Sequence, residues 1–249
     1  MKQKMIPKIL GLLLVLTGIS LLLYPFVSQQ QYRREADNVI SAYDKRVQAL
    51  KETAPAANPN AANPNKTDKP DKPDAFAQLY ALAERHNKDL FKNRQKDLAD
   101  PFSYEQTSFR LAQFGMDEEI FGYVSIPKMN IRLPIYLGAN KENMSKGAAH
   151  LTQTSLPIGG KNSNAVLAAH RGFARAEMFR RIEKLALGDE ITISNFWGTL
   201  TYRVKDIAVI EPSDIDKILI QEGEDLVTLI TCHPYRQNTQ RYVVYCSRA

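Results

Sequence analysis

The chain has 249 residues, 44% apolar and 24% charged, with a formal net charge of +6. That length accommodates one sizeable domain with appendages. Its two cysteines and four histidines form no close ligand pattern beyond Cys232-His233, which is too little for a zinc site, so neither metal nor organic cofactor is expected.

Lys2, Lys4 and Lys8 precede an uncharged run of nineteen residues, Ile9 to Val27, interrupted only by the hydroxyls of Thr17 and Ser20. About 20 such residues span a bilayer as a helix. The leading lysines favour an N-terminus inside, although Arg33 and Arg34 beyond the run weaken the asymmetry. No clear small-residue cleavage site follows, so residues 1–28 are expected as an uncleaved membrane anchor. Everything downstream then lies outside the cytoplasm, which argues against nucleic acid as a partner despite the positive charge.

Residues 29–74 read as a helical stalk and a linker. Val39, Ile40, Tyr43, Val47 and Leu50 can line one face of a helix. Ala56-Ala57-Asn58-Pro59-Asn60 then repeats as Ala61-Ala62-Asn63-Pro64-Asn65 and passes into the proline-rich, charged run Lys66 to Asp74, as expected of an extended spacer. Within residues 75–117, Phe76, Leu79, Tyr80 and Ala83 return to helical spacing and predict a helix docked on the domain that follows. His86 and the basic residues Lys88, Lys92, Arg94 and Lys96 are expected on its solvated surface.

From residue 118 onward the pattern changes. Short apolar runs punctuated by Gly, Pro, Asn and Asp predict strands at Tyr123–Ile126, Ile131–Tyr136, Ala165–Ala169, Glu190–Ile193, Thr199–Val204, Ile207–Ile210, Leu226–Thr231 and Tyr242–Tyr245. Met178, Phe179, Ile182 and Leu185 have helical spacing and read as core packing.

The last two strands carry the chemistry. Leu226–Thr231 leads into Cys232, His233-Pro234-Tyr235 breaks the strand, and Arg241 opens the next one. Cross-strand partners share a face, so a hairpin pairing Cys232 with Arg241 puts thiol and guanidinium on one side and His233 on the other. The same register sets Cys246 opposite Val227, about 17 Å along the strand from Cys232 and on the other face, too far for a disulfide. A thiol needs a partner to ionise near neutral pH. Of the four histidines, His170 has the best context, since it stands where the apolar strand Ala165–Ala169 leaves the sheet; its alternative reading is a hydrogen-bonded structural histidine.

TLITC followed by Arg241, AAHRG around His170, and GAAHLTQTSLPIGG from Gly147 to Gly160 resemble the sortases, the membrane-bound cysteine transpeptidases of Gram-positive bacteria. The resemblance covers roughly Leu90 to Arg248. It implies a mainly β fold, a closed eight-stranded barrel with short helices, preceded by N-terminal helices. It also implies Cys232 as nucleophile, His170 as general acid and base, and Arg241 as stabiliser of substrate and oxyanion. Asp100-Pro101-Phe102 resembles the lid of the class C, pilus-building branch, which implies that Asp100 approaches Arg241 and Phe102 sits over Cys232. The implied partners are pilins or other surface proteins with LPxTG-like sorting signals, joined to an amine such as a pilin lysine. Three features depart from that branch: HPYR stands in place of TPYG after the cysteine, Ala169 in place of a glycine, and the chain reaches Ala249 without a C-terminal membrane helix. They leave open a housekeeping or accessory enzyme that anchors proteins to peptidoglycan precursor; a catalytically idle module that binds sorting signals or scaffolds pilus assembly is a reading of a different class, which the intact Cys, His and Arg set disfavours.

Overall fold

The computed structural model describes residues 6–53, 75–96, 98–103, 111, 120–173 and 176–249; the spacer expected within residues 56–74 lies outside them. Eight strands close into a barrel: β1 Ile120–Ile126, β2 Ile131–Leu137, β3 Ala148–His150, β4 Ser163–Ala168, β5 Glu190–Asn195, β6 Thr199–Ile210, β7 Asp225–His233 and β8 Gln240–Arg248. Their order around the barrel is β1-β2-β3-β4-β7-β8-β6-β5. The pairs β2–β3 and β4–β7 are parallel and the rest antiparallel. Closure leaves no strand edge unpaired, so backbone donors of these short strands find partners all round.

The number of strands matches the expectation, but two assignments differ in compensating ways. Thr199–Val204 and Ile207–Ile210 are one strand, β6, whose register against β8 shifts between Val204 and Asp206. The polar Lys205-Asp206 pair that reads as a break is a β-bulge, where one unpaired residue bends the strand without ending it. The strand missed is β3, whose three residues are too few to show a period of two.

Alternation along β4, β7 and β8 divides their side chains between two cores. Leu167, Val227, Leu229, Val244 and Cys246 join the main core, to which the other strands also contribute. Val166, Ala168, Ile230, Val243 and Tyr245 face a second, smaller core with Leu98, Phe102, Met144 and Ile218. This second face carries the candidate site.

Two helices precede the barrel. α1, Ile6–Thr53, is continuous for 48 residues. Its first part is apolar on every side and exposed, with Leu22 and Phe26 each 73% accessible, and it is the one described helix long and apolar enough to cross a membrane. Beyond Val27 the pattern becomes a stripe: Ala36, Ile40, Tyr43 and Val47 are buried at spacings of three and four. The Tyr43 hydroxyl donates to the Phe121 carbonyl at 3.0 Å, satisfying a polar tip that burial would otherwise penalise.

α2, Ala75–Lys92, buries Leu79 and Ala83 in the main core. Asn87 fixes its register by donating to the Leu156 carbonyl at 3.0 Å and accepting from the Leu156 amide at 2.7 Å. His86 is half-buried, not solvated, and burial lowers its pKa. The reason is position: His86 follows Leu79 and Ala83 by seven and three residues, on the docked side of the helix. Lys88, Lys92, Arg94 and Lys96 are exposed.

Candidate active site

β7 and β8 pair in the register expected from the sequence: Cys232 lies opposite Arg241, Val227 opposite Cys246, and His233 opposite Gln240. Both cysteines are free thiols. Cys246 is fully buried in the main core, and burial pushes its thiol up to about 12. Cys232 packs at the edge of the second core and is half-buried.

His170 arrives from the other side of β7. β4 and β7 run parallel with Ala168 opposite Ile230. Beyond β4, the Ala169 amide donates to the Ile230 carbonyl at 3.2 Å and the Thr231 hydroxyl donates to the Ala169 carbonyl at 2.7 Å. These bonds carry the alignment past the end of β4, and two further residues bring His170 level with Cys232. Three adjacent strands, β4, β7 and β8, thus present His170, Cys232 and Arg241 side by side on one face.

The His170 ring stacks on Phe173, with centroids 5.1 Å apart and planes 14° from parallel, and faces Phe102 at 6.4 Å. With these aromatic neighbours the imidazole is partly buried, and that burial lowers its pKa below the ordinary histidine range. Burial also raises the Cys232 thiol; the Arg241 charge opposes that shift, Asp100 adds to it, and Arg171 opposes it. Burial thus works against the charged form of both groups.

Asp100, Pro101 and Phe102 close over this face. Asp100 accepts two parallel hydrogen bonds from Arg241, Nε to Oδ1 and Nη2 to Oδ2, each 2.8 Å. Arg241 Nη1 donates to Asn238 Oδ1 at 2.7 Å and to the Gln240 carbonyl at 2.9 Å. Its guanidinium also lies 4.8 Å from the Phe102 ring centroid. Pro101 and Phe102 are buried in a turn of 3₁₀ helix. Phe102 therefore contacts the guanidinium and the imidazole as well as covering the core that holds Cys232. Leu98 anchors the segment from below, and Gln95 ties its start to the Gln153 carbonyl at 3.0 Å and the Ile220 amide at 2.6 Å.

His233 is engaged elsewhere. Its Nδ1 accepts from Arg171 Nη1 at 2.6 Å, and its ring lies 5.7 Å from Tyr242 on the opposite face from Cys232. Arg171 gave no signal in the sequence beyond adjoining His170. It is buried, donates to the Cys232 carbonyl at 3.4 Å, and pairs with Glu183. Sequence reasoning also passed over Glu177, a buried carboxylate held by Gln29 and Arg33 of α1 and by Arg181. Glu177 has a local partner in Arg181, but the other groups that these two charges meet are brought to them only by the fold. Among the described residues, His, Cys, Asp and Glu form no group suited to a metal ion.

His170 and Cys232 open onto a cleft of about 410 Å³, whose other walls include Arg171, Phe173, Arg180 and Tyr235. A thiol and an imidazole at a cleft of this size, with the Arg241 guanidinium opposite the thiol on the neighbouring strand, are the kinds of group that acyl transfer uses.

A family model for the sortase domain matches residues 124–249. Sortase D of Bacillus subtilis is 29% identical over 130 residues, covering 51% of this chain and 63% of the relative. The match therefore spans just under two thirds of that protein's length. Sortase A of Bacillus anthracis is 29% identical over 166 residues, covering 66% and 72%. Among solved structures, sortase C1 from pilus island 1 of Group B Streptococcus superposes with a TM-score of 0.65 at 35% identity, covering 72% of this chain and 84% of that one. Sortase C-1 of Streptococcus pneumoniae gives 0.70 at 32% identity, covering 85% and 98%.

Proposed function

This chain belongs to the sortase family of cysteine transpeptidases, and from that membership we propose that it is a lidded, pilus-building member anchored by its N-terminal helix with the barrel outside the cell. Its substrates are pilins or other surface proteins carrying an LPxTG-like sorting signal. With the lid displaced, the Cys232 thiol passes its proton to His170 and the sulfur attacks the Thr carbonyl carbon. The oxyanion forms beside Arg241; the Thr–Gly bond breaks, and His170 returns the proton to the departing amine. A pilin lysine amine then attacks the thioester, His170 takes its proton, and the C–S bond breaks to leave an isopeptide and the free cysteine. Nothing in this scheme calls for a metal or cofactor.

The observation that carries the reading is the Asp100–Arg241 pair. A guanidinium whose Nε and Nη2 both point at a lid carboxylate must release it before stabilising an oxyanion, so a peptide gains the cation only by displacing the lid. A guarded site suits an enzyme whose product is a polymer of its own substrate. Some of the solved structures that resemble this chain are pilus-related.

Incubation with purified pilin, beside a Cys232→Ala control, tests the proposal. Ladder formation lost in the control is expected. Polymer formed equally by the control would overturn the enzyme reading, and sorting-peptide cleavage without polymer would instead favour attachment to a peptidoglycan precursor.

A further inference from the structure

We propose that Arg180 and Arg236 form an anion subsite at the mouth of the Cys232 cleft, which selects peptides carrying a carboxylate side chain close to the reacting bond. The inference rests on the transpeptidase reading for the identity of the ligand as a peptide. Its basis is a charge imbalance in the cleft. Of the four described arginines around Cys232, Arg241 is matched by Asp100 and Arg171 by Glu183. Arg180 and Arg236 are exposed, and no described carboxylate pairs with either.

Both guanidiniums nevertheless have an aromatic neighbour in common. Both contact the same Tyr235 ring, at 5.1 Å from its centroid for Arg180 and 5.5 Å for Arg236, so two like charges share one aromatic neighbour. Two cations beside one ring, neither paired with a described carboxylate, favour a negative group that reaches both. Arg180, Tyr235 and Arg236 line the same cleft as Cys232 and His170, so a carboxylate there belongs to a molecule in the reacting position.

The backbone is shaped to permit this. Gly172 has a φ of +89°, which L side chains rarely adopt, and the Arg180 stem packs against it, 3.3 Å from where a Cβ would stand. Arg236 sits at a φ of +65° in a turn closed by the Gln237 amide on the Pro234 carbonyl. Glycine is the residue that such a turn position favours. An arginine held there puts a charge where the backbone alone would select no side chain.

The test measures binding of labelled peptides to full-length Asp100→Ala/Cys232→Ala protein, lid released and nucleophile removed. One Glu, Gln or Lys is walked through a sorting peptide and separately through a lysine-bearing acceptor peptide, so donor and acceptor sources of the carboxylate are told apart. At one position or more, Glu should bind about tenfold more tightly than Gln, as a charge-assisted pair allows, and Lys more weakly than either. Arg180→Gln with Arg236→Gly should abolish the preference; the glycine suits the turn, so loss of fold is not a competing explanation. No position favouring Glu beyond twofold, or a preference that survives the double substitution, overturns the subsite. Cleavage of the same peptides with Cys232 restored reports on the transpeptidase reading separately, since a binding preference without cleavage sustains the subsite and removes the reaction.

Discussion

Asp100→Ala is the most informative single perturbation, because the carboxylate acts on Cys232 in two ways of the same sign. It ties the proposed lid to Arg241, and its charge raises the thiol pKa while occupying the cation that lowers it. Each charge-assisted bond contributes roughly 1.5–3 kcal/mol when well shielded. Asp100 is 20% exposed and Leu98 and Phe102 remain to hold the segment, so the net loss is reduced by solvent and by the retained contacts. About 1–2 kcal/mol remains, which is roughly a 5- to 30-fold gain in open lid at one decade per 1.36 kcal/mol. The assay is the second-order rate of iodoacetamide alkylation across pH, with Cys232→Ala to subtract any labelling of Cys246. Wild type should react slowly; the variant should react 5- to 30-fold faster at neutral pH, with its midpoint displaced downward. A rate within twofold of wild type, or a midpoint displaced upward, would refute the reasoning.

Three further outcomes are expected. His150 is buried with its pKa pushed down to about 4, so the unfolded chain binds the proton more readily; stability should be full above pH 6.5 and fall by about 3 kcal/mol as pH drops to 4, while His150→Gln should flatten that part of a denaturation series. Arg171→Gln removes a charge that lowers the Cys232 thiol, so the alkylation midpoint should rise, and an unchanged midpoint in a variant that still melts cooperatively would dismiss the role. A flexible Gly/Ser insertion between Val27 and Ser28 should leave hydrolysis of a soluble sorting peptide intact and slow transfer from a membrane-borne substrate; equal slowing of both would refute the functional coupling of span and barrel.

What could be read from the sequence was local or periodic. The Cys232–Arg241 register followed from the strand patterns flanking a loop, because a period of two leaves little choice once one pair is set. The apolar run and the amphipathic stripe of α1 showed for similar reasons, one through length and one through spacing. β3 lacked the length to show a period, and the bulge in β6 carried the polar pair that usually ends a strand. Arg171 and Glu177 were invisible for a deeper reason: each is a charge whose meaning comes from partners distant in sequence, such as His233 and Glu183 for one, Gln29 and Arg33 for the other. The identity of Asp100 as a partner of Arg241 came from a resemblance, since no spacing rule connects residues 141 positions apart.

The unbroken helix from the apolar run to the barrel fixes a height. At 1.5 Å per residue, Tyr43 lies about 24 Å beyond Val27 along the axis, and Glu177 ties the loop after His170 to the helix at Gln29 and Arg33, only a turn or two above the run. With residues 10–27 in a bilayer, as the proposed function has it, these contacts set the level of the Cys232 cleft above the surface. Encounter with a substrate anchored in the same membrane then becomes a search in two dimensions at matched altitude, where local concentration is set by lateral density and not by bulk solution. A diffusing competitor must find the cleft in three.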